Sequence, residues 1–221
     1  MKALLSTKVG PPEALEFADL PDPAAGEGEV IIAVKAAGVN CPDSLIIEDK
    51  YQFKPERPFA PGGEIAGVVE SVGAGVSNVK VGQRVIGSLG WGGFAEKVKA
   101  QAARVLPIPD AMAFDEASAF ILTYGTSYYA LKDRGVLKPG EVVLVLGAAG
   151  GVGIAAIELA KAMGARAIAA VSSKDKAAFA KEAGADDAVV YPTGNLTRDQ
   201  SKQLADDFKR VCGGGADVVY D

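Results

Sequence analysis

The sequence of 221 residues contains no histidine at all. An imidazole general base, a Ser-His-Asp triad and a zinc site with histidine ligands are therefore excluded within these residues. Cysteine is almost as scarce, because Cys41 and Cys212 are the only two and neither has a partner at metal-ligand spacing. Reduced thiols are the default expectation for such a pair.

Long apolar runs and clusters of positive charge are also missing. The longest uncharged run, residues 142–157, falls short of the roughly 20 residues that a membrane-spanning helix needs, and four of its residues are glycine. The apolar stretch at the start of the chain, residues 1–5, is shorter than the apolar region of a signal peptide. The net charge of −5 argues against a nucleic-acid surface. These features predict a cytoplasmic protein that binds neither nucleic acid nor a membrane.

The sequence does contain an apolar run, residues 142–146, that is followed at once by a glycine-rich turn, residues 147–153. A continuous apolar run is typical of a strand that is buried on both faces of a parallel sheet. Ala148, Gly150 and Gly153 take the three glycine positions of the dinucleotide fingerprint, and the strand-to-helix context favours a dinucleotide site over a merely tight turn.

The exposed N–H groups of this turn and the dipole of the following helix are expected to hold a pyrophosphate. Gly150 lets the backbone approach the anion, and Gly153 lets the helix pack against the strand. The residues predicted to contact the cofactor at the turn are Ala149, Gly150, Gly151, Val152 and Gly153.

Beyond the turn, strands and helices alternate. Strands are predicted at residues 166–171, 188–191 and 216–220, and helices at 174–183 and 198–212. Such alternation indicates right-handed crossovers and a parallel, doubly wound sheet. Only the first four strands of a 3-2-1-4-5-6 sheet would be present, so we expect part of a longer enzyme, with a naturally short domain as the alternative.

The first half of the chain has a different pattern, in which short apolar stretches alternate with glycine and proline. Turn signals such as Pro61-Gly62-Gly63 separate these stretches and favour an antiparallel, barrel-like module over helices. Residues 110–134 then predict two helices that connect the two modules. The apolar stretches are residues 29–36, 64–72, 82–88 and 94–99.

Several motifs, in this order, resemble the medium-chain dehydrogenase/reductase superfamily. Within it, the chain is most similar to the zinc-independent quinone oxidoreductases, the zeta-crystallin family. The motifs are Ala37-Gly38-Val39-Asn40, residues 61–69, Val81-Gly82-Gln83-Arg84-Val85, Thr123-Tyr124-Gly125-Thr126 and the glycine turn.

The resemblance implies an α/β protein of two domains. Residues 1–125 would form most of a GroES-like β-barrel catalytic module, which a C-terminal segment completes in the family. Residues 126–221 would form a partial Rossmann domain with a doubly wound parallel sheet. A homodimer is implied at full length.

The resemblance also bears on metal binding. In the zinc alcohol dehydrogenases of the superfamily, a cysteine, a histidine and a second cysteine hold the catalytic zinc, and the corresponding positions here are Asn40, Gly63 and Leu122. None of these binds zinc well, and the lobe with four cysteines that holds a structural zinc has no counterpart. The resemblance therefore implies a site without metal.

The end of the second predicted strand bears on the choice of nucleotide. An acid about 20 positions beyond the turn would bind the ribose of NAD, but residues 171–174 read Val-Ser-Ser-Lys. Ser172, Ser173 and Lys174 or Lys176 instead offer donors to a 2′-phosphate, and the alternative is an N-cap serine with solvated helix lysines. By the resemblance, Ser172, Lys176 and Tyr191 hold the adenosine phosphate, so NADPH is expected rather than NADH.

Two side chains are candidate hydrogen-bond donors for the chemistry. Hydride transfer to a conjugated carbonyl places negative charge on its oxygen, which needs donors where zinc is absent. Asn40 lies where the family places a site residue, and a turn residue before Cys41-Pro42 is the alternative. Tyr51 is close to where the family keeps a pocket tyrosine, although an aromatic there is more often packing.

Thr126 resembles the threonine that contacts and orients the nicotinamide in the family, and a threonine at a helix N-terminus is the alternative interpretation. Asp43 is expected to hold its loop through backbone hydrogen bonds rather than to transfer protons. These expectations describe an NADPH-dependent oxidoreductase that transfers hydride to a small-molecule quinone or enone without zinc. A 2-enoyl thioester reductase and a nucleotide-binding protein with little turnover are the alternatives.

Overall fold

The computed structural model describes residues 1–221, which form two compact units, Met1–Leu122 and Thr123–Asp221. The first unit is built on antiparallel strands and the second on a parallel sheet with helices. The predicted α/β class, with a β-rich first module and a partial doubly wound sheet, is confirmed. The predicted division between the domains lies three residues further along the chain, at 125/126.

The first unit contains a five-stranded antiparallel sheet of order β6-β3-β4-β5-β7 and a separate pair, β1-β2. Two helices, α1 (Cys41–Ile47) and α2 (Phe114–Ser118), accompany the sheet. The strands are β1 (Lys2–Leu5), β2 (Glu16–Asp19), β3 (Glu29–Gly38), β4 (Glu64–Val72), β5 (Arg84–Ser88), β6 (Lys97–Gln101) and β7 (Val105–Pro107).

The largest hydrophobic cluster of the first unit lies on one face of this sheet. Val30 and Ile32 of β3 pack with Ile65 and Val69 of β4, and all four are fully buried. Alternate residues of a strand point to the same face of the sheet. For this reason Val30 and Ile32 are two positions apart in β3, and Ile65 and Val69 are four positions apart in β4. The start of β4 is thereby fixed between β3 and β5, with Glu64 paired to Gly38 on one side and to Ser88 on the other.

Helix α1 was not predicted, since the pattern assigned this module to strands. The helix has only seven residues, too few for an amphipathic period to be recognised. It begins after Asn40, whose backbone is extended, and carries Pro42 in its first turn, where a proline is tolerated. Ile46 and Ile47, at the end of α1, pack against Phe59, so this end of the helix is held beside the loop that precedes β4.

The second unit contains a parallel sheet of order β10-β9-β8-β11, which is the predicted 3-2-1-4 arrangement. The strands are β8 (Val142–Leu146), β9 (Arg166–Val171), β10 (Asp187–Val190) and β11 (Val218–Tyr220). The helices are α3 (Thr126–Tyr128), α4 (Gly151–Ala162), α5 (Lys174–Glu182) and α6 (Arg198–Cys212). The second helix predicted over residues 110–134 is interrupted, because α3 lies between π-helical segments Ile121–Gly125 and Tyr129–Arg134.

The parallel sheet is buried on both faces, as the apolar runs predicted. One face of β8 and β9 packs against Ala156, Ile157 and Ala160 of α4, and the other packs against Val211 and Cys212 of α6. None of the helices has both the length and the apolar character that crossing a membrane requires.

Candidate functional site

The glycine turn between β8 and α4 shows two separate steric requirements. Gly147 has φ +58°, in the left-handed region that favours glycine. A Cβ at Gly153 would lie 2.7 Å from both the Cα of Ala148 and the carbonyl oxygen of Gly147. Because both of these are backbone atoms, α4 reaches the turn only if residue 153 has no side chain.

Gly150 meets no comparable obstacle. It is the N-cap of α4, with φ −81° and ψ 163°, and its nearest contact to an added Cβ would be the carbonyl oxygen of Gly147 at 3.3 Å. Gly150 is exposed, so the N-terminus of α4 is open to solvent at this point. The structure therefore leaves room for an anion at the end where the helix dipole is positive.

A cavity joins this turn to the end of β9. Five of its lining residues are predicted cofactor contacts: Ala149, Gly150, Ser172, Lys176 and Tyr191. The other two are Gly147 and Val171. The turn and the strand end meet here because β8 and β9 are adjacent parallel strands whose carboxyl ends lie at the same edge.

Lys176 is the cation of this cavity, and Lys174 is not among its lining residues. The ammonium of Lys176 donates to the hydroxyl of Ser172 at 3.1 Å and forms no ion pair. Ser173 is the N-cap of α5, because its hydroxyl accepts from the backbone N–H of Lys176 at 3.3 Å. The alternative interpretation of an N-cap serine thus applies to Ser173, while Ser172 and Lys176 lie together on the cavity wall.

Five residues of the predicted set do not line this cavity: Thr126, Gly151, Val152, Gly153 and Ser173. Gly151 is exposed at the first position of α4, and Gly153 is buried against the turn. The carbonyl oxygen of Val152 accepts from the hydroxyl of Ser127 at 3.0 Å. This bond ties the start of α4 to α3, where Thr126 is the first residue and is exposed.

A second cavity lies within the first unit, and both of its predicted donors, Asn40 and Tyr51, line it. The ring of Tyr51 meets that of Phe53 edge to face, with 5.9 Å between centroids. Thr126 belongs to the second unit. The other lining residues are Pro42, Asp43, Phe53, Gly63, Glu64, Ser88, Gly90, Ile121 and Leu122.

Asp43 holds the loop beside this cavity, as expected. One carboxylate oxygen accepts from the backbone N–H of Asn40 at 2.8 Å, and the other accepts from the backbone N–H of Gly62 at 3.1 Å. Burial raises the pKa of the Asp43 carboxyl, and the backbone hydrogen bonds act in the opposite direction. The residue therefore connects the start of α1 to the turn before β4.

Sequence reasoning missed Glu64, which is the most deeply buried polar residue that lines the cavity. Its side chain is only 3% exposed. One oxygen accepts from the side-chain amide of Asn40 and the other from the backbone N–H of Leu122, each at 2.9 Å. A signal was available, since Glu64 directly precedes the apolar residues 65–69, and an acid there is costly to bury without such partners.

The comparisons with known proteins agree with this architecture. Residues 26–110 match the family described as Alcohol dehydrogenase GroES-like domain, and residues 151–221 match the family described as Zinc-binding dehydrogenase. A quinone oxidoreductase-like protein 2 homolog from Nematostella vectensis is 39% identical over 198 residues, which are 89% of this chain and 52% of that protein. A quinone oxidoreductase from Sus scrofa is 36% identical, over 79% of this chain and 54% of that protein. The chain thus spans about half the length of the curated relatives it matches.

Solved structures show the same relationship. The crystal structure of a probable oxidoreductase from Mycobacterium abscessus superimposes with a TM-score of 0.87 at 42% identity, covering 99% of this chain and 68% of that one. The crystal structure of Escherichia coli quinone oxidoreductase complexed with NADPH gives a TM-score of 0.86 at 32% identity, covering 97% of this chain and 63% of that one. The chain therefore belongs to the quinone oxidoreductases of the medium-chain dehydrogenase/reductase superfamily.

Proposed function

We propose that this chain is part of an NADPH-dependent oxidoreductase that reduces a quinone or a related conjugated carbonyl without zinc. The observation that carries the proposal is the cavity in which Lys176 and Ser172 lie beside the open glycine turn. The similarity to the Sus scrofa quinone oxidoreductase and to the Escherichia coli quinone oxidoreductase complexed with NADPH supports it.

The residues of the second unit fit a dinucleotide. The pyrophosphate would lie on the backbone N–H groups at the N-terminus of α4, where the exposed Gly150 leaves space for an anion. Gly153 contributes by letting the helix approach the turn. The N–H groups that we assign to this contact are those of Ala149, Gly150, Gly151, Val152 and Gly153.

The extra phosphate of NADPH would lie between Lys176, Ser172 and Tyr191, which share one cavity wall. Lys176 has no carboxylate to neutralise it, so its charge is available to a phosphate. Ser173 can still donate its hydroxyl proton, because the N-cap bond uses only its oxygen as an acceptor. When bound, NADPH supplies the hydride, and Thr126 is our candidate for the contact that orients the nicotinamide.

A zinc ion does not fit the residues of the first cavity. At the three positions where related dehydrogenases carry zinc ligands, Gly63 has no side chain and Leu122 is apolar. The third, Asn40, already donates from its amide nitrogen to Glu64. A lone amide oxygen does not make a zinc site, and no group of three acidic, cysteine or histidine side chains that could hold a metal ion is present, so the proposal assigns no step to a metal.

Hydrogen-bond donors are the remaining means of stabilising charge on the substrate oxygen. The amide of Asn40 and the phenol of Tyr51 both line the first cavity. One such donor is typically worth about 3 kcal/mol of transition-state stabilisation, so two are sufficient in magnitude. A 2-enoyl thioester reductase remains the second candidate, because a thioester product needs a proton at carbon and Tyr51 supplies a phenol in the cavity.

Location and assembly are part of the same proposal. Both cysteines are free thiols, which supports a cytoplasmic protein. A homodimer at full length is supported by the resemblance alone.

The choice of NADPH over NADH is tested by nucleotide titration of the Lys176→Glu variant. We expect the Kd for NADPH to rise about tenfold or more, because a charge-assisted bond to the phosphate becomes a repulsion, whereas the Kd for NADH stays the same. Binding is measured by nicotinamide fluorescence or calorimetry. Lys174→Glu is the matched control, since Lys174 is exposed on the same helix and lies outside the cavity.

Equal affinity of the unaltered protein for the two nucleotides would contradict the assignment.

A steady-state assay of NADPH oxidation with a panel of quinones then tests the reaction itself. Tight NADPH binding without oxidation by any quinone would favour a nucleotide-binding protein with little turnover.

A further inference from the structure

The carboxylate of Glu64 joins two segments that are far apart in the sequence. Its hydrogen-bond partners, the Asn40 amide and the Leu122 backbone, lie 24 and 58 positions away. Both partners are N–H groups, so Glu64 acts as an acceptor at each of its oxygens. A buried carboxylate is tolerated only with such partners, which means that each of the two bonds also restrains its donor.

The space for this carboxylate is built into the sheet. Gly38 is the strand partner of Glu64, and a Cβ on Gly38 would lie 2.8 Å from a Glu64 carboxylate oxygen and 2.3 Å from the carbonyl oxygen of Ser118. Any side chain at position 38 would therefore displace Glu64 or α2. Since β4 is paired on both sides, the backbone at Glu64 lies between two neighbouring strands, opposite Gly38 and Ser88.

The bond to Glu64 also determines how the Asn40 amide is oriented. An amide has a donor end and an acceptor end, and only the NH2 end can face a group that accepts at both oxygens. One N–H of Asn40 is used by Glu64. The second N–H of the same nitrogen does not take part in this bond. Asn40 lines the cavity, so this N–H can donate to a ligand there.

We propose that Glu64 is a positioning residue, which fixes the Asn40 amide so that its second N–H is presented to the substrate oxygen. This rests on the proposed function, in which Asn40 is a donor to that oxygen. By the resemblance, Asn40, Gly63 and Leu122 stand where the zinc alcohol dehydrogenases carry metal ligands. The carboxylate of Glu64 binds two of these residues, Asn40 and Leu122, and Glu64 directly follows the third, Gly63. A hydrogen-bonded carboxylate thus holds together here the segments that a metal would otherwise connect.

Exchange of side-chain amide protons tests the positioning without any need for turnover. The sequence has only three asparagines, Asn40, Asn78 and Asn195, so selective 15N labelling of asparagine gives three pairs of signals. Asn78 donates to the carbonyl oxygens of Ala102 and Val105 and is the protected reference. Asn195 is exposed and is the unprotected reference. We expect Asn40 to exchange about tenfold or more slowly than Asn195.

The Glu64→Met variant removes both acceptor oxygens at similar side-chain length. We expect the protection of Asn40 to be lost while that of Asn78 is kept, which shows that the unit is still folded. The control is Glu70→Met on the same strand, because Glu70 is exposed and pairs with Lys97 outside the cavity. It should change the exchange of neither asparagine.

Kinetics then connect positioning to catalysis. For Glu64→Met we expect kcat with a quinone to fall about tenfold or more, with the KM for quinone and the Kd for NADPH unchanged. Asn40→Ala should cause a similar fall, and the double variant should fall no further, since both changes remove the same donor. A merely structural role for Glu64 would instead make the two losses multiply.

The outcomes separate this proposal from the proposed function. If none of the quinones tested supports NADPH oxidation by the unaltered protein, the proposed function fails. The exchange rates alone then decide whether Glu64 positions Asn40. An Asn40 amide that exchanges as fast as Asn195 in the unaltered protein would overturn the positioning role. Multiplying losses in the double variant, in a protein that is active, would overturn it as well.

Discussion

Gly150 and Gly153 contribute to one turn in different ways. Gly153 is closed to any side chain by the backbone of residues 147 and 148, whereas Gly150 is exposed and its backbone angles suit any residue. The first constraint concerns packing of the protein against itself, and the second concerns space for a ligand. Substitution of each by alanine separates the two roles.

Gly153→Ala should lower the free energy of unfolding by about 1–2 kcal/mol. The added methyl group forces the backbone to shift, and the cost of that shift exceeds the gain from the better helix propensity of alanine. Gly150→Ala should cost about 1 kcal/mol or less and yet raise the Kd for NADPH about tenfold, since its methyl group occupies the space of the phosphate. Urea denaturation and nucleotide titration of both variants measure this. Equal effects of the two variants on stability and on binding would contradict the division of roles.

Hydrogen bonds from three elements hold the segment that carries Thr126. Ser127 is fully buried, and its hydroxyl lies 2.9 Å from the carbonyl oxygen of Thr123, 3.0 Å from that of Val152 and 3.1 Å from the hydroxyl of Tyr220. The phenol of Tyr124 also donates to Glu158 of α4. These contacts fix α3 to the start of α4 and to β11.

The bond between Tyr124 and Glu158 predicts a dependence of stability on alkaline pH. Its hydrogen bond to Glu158, with lesser effects of burial and of the nearby negative charge, raises the pKa of Tyr124 from its usual 10.0 to about 12. A group with a raised pKa in the folded state contributes stability that is fully present below its unfolded pKa and is lost as the pH rises. This contribution should therefore be lost between pH 10 and about pH 12.

Tyr124→Phe should remove this part of the pH dependence. Urea unfolding at pH 9.5 and pH 11.5 would show a smaller difference in the variant than in the unaltered protein. Tyr129→Phe is the control, because Tyr129 is an exposed tyrosine in the nearby segment Tyr129–Arg134. A pH dependence identical in Tyr124→Phe and the unaltered protein would contradict the prediction.

The elements of the second unit could be predicted from sequence, and those of the first only in part. Arg166–Val171 and Arg198–Cys212 were predicted at both ends, because glycines and apolar periods mark their limits locally. In the first unit, Glu64–Val72 was predicted in full, but α1 and the β1-β2 pair were not. Helix α1 is short, and β1 and β2 are four-residue strands whose pairing depends on tertiary contacts.

The candidate site follows the same rule. Local patterns predicted the glycine turn and Ser172, the family resemblance selected Lys176 over Lys174, and the structure brings these residues into one cavity. Glu64 was missed because its partners are distant in the sequence, and no local pattern records a contact over 58 positions. The roles of Asn40, Tyr51 and Thr126 stay predictions.

At the scale of the whole molecule, each unit has its own hydrophobic core. Val30, Ile32 and their neighbours fill that of the first unit, whereas the two faces of the parallel sheet are covered separately in the second. The nucleotide contacts that we propose at the glycine turn and the end of β9 all belong to the second unit. Nucleotide binding should therefore act first on the stability of that unit.

NADPH at about 100 times its Kd should stabilise the folded second unit by about 2.7 kcal/mol. Amide exchange in β8 and β9 should accordingly slow by about a hundredfold where it requires unfolding of the unit. Hydrogen exchange with mass spectrometry measures this, with peptides from β3 as the comparison. Exchange in β8 that NADPH leaves unchanged would contradict the proposed binding site.

Gly63, which lines the first cavity, has a further consequence for protein engineering. A Cβ at Gly63 would come no closer than 3.5 Å to any neighbouring atom, at the carbonyl oxygen of Gly90. Unlike Gly38 and Gly153, this position accommodates a Cβ without movement of the main chain. A designer who wished to install new chemistry beside Asn40 would begin there, and would leave the two crowded glycines untouched.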